Sequence, residues 1–215
     1  MSRAVIFLNG HIPSLEPVRR LFHPGDKLLA ADGGTRHALA LGLAPSVVIG
    51  DLDSLTGEHR RLLDAAGTEI HQVPRDKNET DFELALHYAV DAGYHEILIV
   101  AALGSRLDQT LGNLALLTDH RLSTFDVRLD DGVVEAFFTR SSCQVRGIAG
   151  DLVSLIPWGG EVTGIATVGL RWPLKNETLY PYQTRGISNE LLVETATISL
   201  RSGLLLVVHG RNPQS

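Results

Sequence analysis

Short apolar runs alternate with segments of helical period from residue 4 to about residue 130, and from about Gly132 the helical segments stop. The runs at 4–8, 27–31, 46–49, 69–73, 96–101 and 126–129 read as strands, and 35–41, 58–66, 80–92 and 108–118 as helices. Phe82, Ala85, Leu86, Ala89 and Val90 share one helical face, with Thr80 and Glu83 as a capping box and Gly93 as a stop. Strand and helix alternating through links this short require a parallel sheet covered on both faces. Residues 1–131 are therefore expected to form an α/β, Rossmann-like domain with ligands bound beyond the carboxyl ends of its strands.

After Gly132 the runs at 133–138, 143–146, 152–157, 161–168, 191–200 and 204–208 are β-rich, divided by glycines and polar turns. Arg201-Ser202-Gly203 reads as a hairpin turn. Residues 132–215 are expected to form an antiparallel, all-β sandwich or barrel domain. Residues 171–190 resist strand assignment, being long, proline-interrupted and marked by Trp172, Tyr180 and Tyr182. Long loops of this kind commonly carry function.

Acidic residues recur where strands end or helices begin: Asp32 in ADGG, Asp51 and Asp53 in GDLDS, Asp76 and Asp81 in DKNETD, and Asp108 in GSRLDQT. Carboxylates brought to one sheet edge repel unless something cationic sits among them. In an extended GDLDS segment Asp51 and Asp53 leave on the same side and can share magnesium, although the same residues suit an Asx-turn and a cap from Ser54. The glycines of ADGG admit a phosphate or ribose close to the backbone, and Gly104, Ser105 and Arg106 offer anion contact. There is no GxxxxGK[ST] loop, no GxGxxG and no HExxH pairing, so magnesium with a polyphosphate fits better than zinc chemistry.

A formal net charge of −6 argues against nucleic acid or an acidic membrane surface as partner. No apolar stretch approaches the length of a membrane span, and the N-terminal run lacks the form of a signal peptide, so a cytoplasmic protein is expected. The single cysteine, Cys143, excludes an internal disulfide and reads as a buried strand residue.

In order along the chain, ADGG (31–34), GDLDS (50–54), ETDFELAL (79–86), GSRLDQTLGNL (104–114), SLIP (154–157), GLRWPL (169–174) and RGISNE (185–190) resemble the thiamin pyrophosphokinase family. The resemblance implies transfer of the pyrophosphoryl group of ATP to the hydroxyethyl oxygen of thiamin. It also implies a homodimer whose active site lies between one subunit's α/β domain and the other's sandwich. By that likeness Asp51, Asp53 and Asp81 hold Mg2+, and Asp108 joins them in catalysis. Asp32, Gly33, Gly34, Thr80, Gly104, Arg106 and Gln109 order ATP, while Trp172 stacks on thiamin and Ser188 and Asn189 bond its aminopyrimidine. Two alternatives remain: a pyrophosphokinase of a pterin or similar hydroxymethyl acceptor, and a sensor that binds thiamin or nucleotide without turnover.

Overall fold

The computed structural model describes residues 3–104 and 106–212. It divides into two compact units, the first ending at Gly132 and the second beginning at Val133.

Six parallel strands form the sheet of the first unit: β1 (Ala4–Phe7), β2 (Lys27–Ala31), β3 (Val47–Gly50), β4 (Glu69–Gln72), β5 (Glu96–Val100) and β6 (Asp126–Asp130). Their order is β6-β5-β1-β2-β3-β4. The chain steps outward from β1 to β4, then returns to lay β5 against the other side of β1. Loops leaving β1 and β5 therefore part in opposite directions, which opens a crevice at the carboxyl edge. All of β1 and β3 is buried, as a strand covered on both faces must be, whereas the edge strand β4 leaves Glu69, Ile70 and Gln72 exposed.

Helices α1 (Leu15–Arg19), α2 (Thr35–Ala40), α3 (Gly57–Ala66), α4 (Asp81–Asp91) and α5 (Leu107–Leu116) fill the connections. The expected apolar face of α4 buries Phe82, Ala85, Leu86 and Ala89, and Thr80 caps the helix by accepting the Glu83 N–H at 3.1 Å. On the opposite side of the switch point, α5 buries no residue completely.

The second unit contains two antiparallel sheets. One has the order β12-β9-β14-β7, built from β7 (Val134–Thr139), β9 (Leu152–Pro157), β12 (Asn189–Glu190) and β14 (Leu205–Gly210). The other runs β11-β10-β13-β8, from β8 (Ser142–Arg146), β10 (Val162–Val168), β11 (Lys175–Leu179) and β13 (Thr195–Ser199). Phe137, Val153, Leu155, Leu205 and Val207 of the first share one core with Val145, Val162, Ile165, Leu179, Ala196 and Ile198 of the second. Cys143, on β8, packs partly buried against that core.

Two strand expectations need correction here. The run at 191–200 is a strand only over Thr195–Ser199: Leu191 is buried, but Leu192 and Val193 face outward. Conversely, the stretch at 171–190 contains β11 and β12. The Lys-Asn-Glu-Thr sequence of β11 has no apolar alternation, and Asn176 takes a left-handed φ of 60° beside a broken β10–β11 register.

Candidate active site

A cleft of about 680 Å³ opens at the carboxyl edge of the parallel sheet, within the size range of small-molecule sites. Loops after β1, β2, β3, β4 and β5 all contribute to its wall, so it lies at the topological switch point.

The ends of β2 and β3 make its acidic corner. Asp32 (φ 39°), Leu52 (φ 65°) and Ala101 (φ 59°) each follow a strand in a left-handed conformation that side chains avoid unless their surroundings impose it. Leu52 supplies one such cause: its side chain is buried in the core, which turns the backbone and leaves Asp51 and Asp53 at the edge. Of the two readings of GDLDS, the Asx-turn forms and the extended segment does not, with the Asp53 N–H donating to Asp51 Oδ1 at 3.1 Å. The helix that follows is capped by Thr56 and not by Ser54. The turn nonetheless gathers the acids, since one oxygen each from Asp32, Asp51 and Asp53 lie within 4.8 Å of one another.

Asp32 Oδ1 is buried without a hydrogen-bond partner among the described residues. A desolvated carboxylate oxygen beside two further carboxylates is costly unless a cation neutralises it. An all-oxygen donor set of this charge fits a hard divalent ion such as magnesium.

Asp81 stands in the first turn of α4 in the cleft wall, its Oδ1 2.9 Å from Lys77 Nζ. Asp108, in the first turn of α5, is exposed and bound by the Arg106 guanidinium. That bond, with the Gln109 N–H, holds its carboxyl below the usual carboxylate range. Arg106, Gln109, Gly104 and Thr80 line the cleft, with the Thr80 hydroxyl oxygen already engaged as a helix cap. Gly34 is required by packing against backbone, and Gly33 packs against the Asn9 side chain. A Cβ on Gly34 would stand 2.0 Å from the Phe7 carbonyl oxygen, and one on Gly33 would stand 2.6 Å from the Asn9 side chain. Ser105 lies outside the described residues.

Four polar cleft residues carried no sequence signal: Asn9, His11, Arg36 and Arg75. Asn113 ties α5 to the β5 loop through the Ala102 carbonyl at 2.7 Å, and His37 donates from Nε2 to the Gly10 carbonyl at 2.9 Å. Burial pushes the His37 pKa down, so its ring stays neutral and steadies the β1 loop.

In the second unit Asn189 binds Trp172 on both sides. The Trp172 N–H donates to Asn189 Oδ1 at 3.0 Å, and Asn189 Nδ2 donates to the Trp172 carbonyl at 2.7 Å. Trp172 is about half exposed with Arg171 5.2 Å from its ring centroid. Ser188, at φ 56°, donates its N–H to Ser154 Oγ at 3.1 Å.

Two family models match the chain, one to each unit: "Thiamin pyrophosphokinase, catalytic domain" at residues 18–129, and "Thiamin pyrophosphokinase, vitamin B1 binding domain" at residues 142–205. The chain belongs to the thiamin pyrophosphokinase family. A thiamine pyrophosphokinase of Bacillus subtilis is 29% identical over 182 residues, spanning 84% of this chain and 85% of that protein. The crystal structure of the Bacillus subtilis thiamine pyrophosphokinase superposes with a TM-score of 0.89 at 25% identity, covering 98% of this chain and all of that one. The thiamin pyrophosphokinase of Geobacillus thermodenitrificans gives 0.84 at 26% identity, covering 99% of each chain. The acidic corner falls in the catalytic-domain match, and Trp172, Ser188 and Asn189 fall in the vitamin B1 match. No helix among the described residues is long and apolar enough to cross a membrane.

Proposed function

We propose that this thiamin pyrophosphokinase family member transfers the pyrophosphoryl group of ATP to the hydroxyethyl oxygen of thiamin, releasing AMP and thiamin diphosphate. One observation carries the reading: the three-carboxylate corner puts Asp32 and Asp51 in the wall of a cleft of small-molecule size, within the unit that the catalytic-domain model covers. In finer terms, residues 1–131 act as a Rossmann-like nucleotide domain and residues 132–215 as a β-sandwich that selects the acceptor. Two chains form a cytoplasmic homodimer, each site pairing one subunit's acids with the partner's sandwich.

Asp51, Asp53 and Asp81, with Asp32 beside them, would hold Mg2+, which neutralises triphosphate charge when bound. Arg106 and Gln109 bind and orient the phosphates, and the N–H groups at the starts of α4 and α5 favour anions there. The Trp172 ring supplies an aromatic wall to cationic thiazolium, and Asn189 keeps that ring in place. One carboxylate of the set accepts the hydroxyl proton as the new P–O bond forms. A pterin acceptor is not favoured, because the acceptor-selecting unit matches the vitamin B1 binding model. A sensor without turnover is not favoured either, since all four acids Asp51, Asp53, Asp81 and Asp108 stand at the cleft or its rim.

Two ATP analogues test which bond breaks. With β,γ-methylene ATP the α–β bond is intact and cleavable, so thiamin should acquire the whole methylene diphosphonate. With α,β-methylene ATP no transfer should occur. The reverse pattern would mean transfer of a single phosphoryl group.

A further inference from the structure

Three cations stand against the acidic edge, each paired with a different acid. Arg75 Nη1 is 3.8 Å from Asp53 Oδ2, Arg106 binds Asp108, and Lys77 Nζ is 2.9 Å from Asp81 Oδ1. The pairs differ in their surroundings. The arginine side chains are 85% and 69% exposed, whereas those of Lys77 and Asp81 are 15% and 27% exposed. Exposed pairs of this kind contribute little. A desolvated ammonium instead depends on its partner.

The placement of Lys77 is local and specific. Residues 74–76 and 78–80 are all exposed, so Lys77 alone is drawn inward from its loop. It is drawn to a spot before the N-terminus of α4, where the helix dipole opposes positive charge and favours anions. Asp81 and the Pro74 carbonyl, at 3.3 Å, hold it there. Meanwhile the oxygens that converge as a metal set are those of Asp32, Asp51 and Asp53, without Asp81.

We propose that Lys77 serves Asp81 as a stand-in cation and passes to the triphosphate when substrate binds. Before substrate binds, its ammonium neutralises Asp81. When metal and triphosphate enter, the ammonium exchanges Asp81 for phosphate oxygens, and Asp81 turns to the metal corner. A lysine suits this role because its compact charge rides on a flexible stem and binds phosphate as a point charge. The exchange leaves neither Asp81 nor the phosphates without a counter-charge. The inference rests on the magnesium–triphosphate reading of the cleft.

The test uses the full chain and two binding measurements that need no turnover: Mn2+ alone by electron paramagnetic resonance, and ATP in excess Mn2+ by calorimetry. In Lys77→Met, and in Lys77→Gln as a second neutral variant, Mn2+ alone should bind tighter by at least about fivefold, because a competing charge is gone. ATP should bind weaker by a similar factor, and Lys77→Arg should stay near wild type in both. Neutral variants that bind Mn2+ no tighter, or ATP no weaker, overturn the exchange while the wild type still binds both ligands. A wild-type chain that binds neither Mn2+ nor ATP overturns the nucleotide-site reading, and the exchange with it.

Discussion

A Cβ placed on Gly50 would lie 2.6 Å from the Cβ of Asp32, so the end of β3 passes directly against the residue that follows β2. The close approach falls where Asp32 takes its left-handed backbone and brings its carboxylate into the acidic corner. Gly50→Ala should force the two loops apart, costing about 1–3 kcal/mol as overpacking does. Turnover should fall by at least about tenfold, because Asp32 no longer converges with Asp51 and Asp53. Thermal melts and steady-state kinetics check both. A stable variant with wild-type turnover would show that the corner tolerates Asp32 elsewhere.

Trp172→Ala should raise the KM for thiamin by several-fold to about thirtyfold, the range of a cation–π contact, while the KM for ATP stays put. Because both polar atoms of the Asn189 amide bond the Trp172 backbone, Asn189→Ala should follow the same pattern. Equal effects on both substrates would remove the stacking role.

A site shared between subunits predicts complementation. Asp51→Asn lesions the acidic corner and Trp172→Ala the acceptor side, so each homodimer is impaired at low thiamin. Hybrids formed by mixing and refolding carry one intact site, which should restore about a quarter of wild-type turnover under twofold symmetry. No recovery would place the whole site within one chain.

The second unit carries a pH-dependent element of stability. His209, wholly buried on β14, meets Asp151 Oδ2 at 3.0 Å through Nε2 and Glu135 Oε2 at 3.4 Å through Nδ1. Burial opposes its imidazolium, but the bonds to Glu135 and Asp151 outweigh this and raise its pKa above 6.5. Asp151 is lowered below 3.8: burial opposes its charge, but the N–H groups of Asn212 and Ile148, and then His209, prevail. The His209 contribution is thus complete below pH 6.5 and lost as pH rises through its folded value. The Asp151 contribution is complete above pH 3.8 and lost as pH falls through its lowered folded value. Thermal stability should therefore decline as pH rises from 6.5 through the raised folded pKa of His209, and His209→Gln should lose that decline at a cost of about 3–5 kcal/mol. A melting temperature that is flat over this range in the wild type would contradict the account.

The acids were legible in the sequence because each sits a few residues past a strand end or in the first turn of a helix, where a two-residue error in boundary changes little. The metal corner itself was half legible: Asp51 and Asp53 were found, but their turn depends on Leu52 being pulled into the core, a tertiary cause. Asn9, His11, Arg36 and Arg75 were invisible, because four unrelated polar residues spread from 9 to 75 form no spacing until the sheet brings their loops together. β11 escaped for the opposite reason: its partner β10 makes it a strand through a broken register, and its own sequence contributes no alternation. Leu192 and Val193 misled in turn, since apolar residues next to a strand need not be part of it.

The most direct measurement follows every product by mass when the protein is given ATP, Mg2+ and thiamin. AMP and thiamin diphosphate in equal amounts, both absent when thiamin is omitted, is the predicted result. ADP with thiamin monophosphate, or no thiamin product at all, would contradict pyrophosphoryl transfer at this cleft.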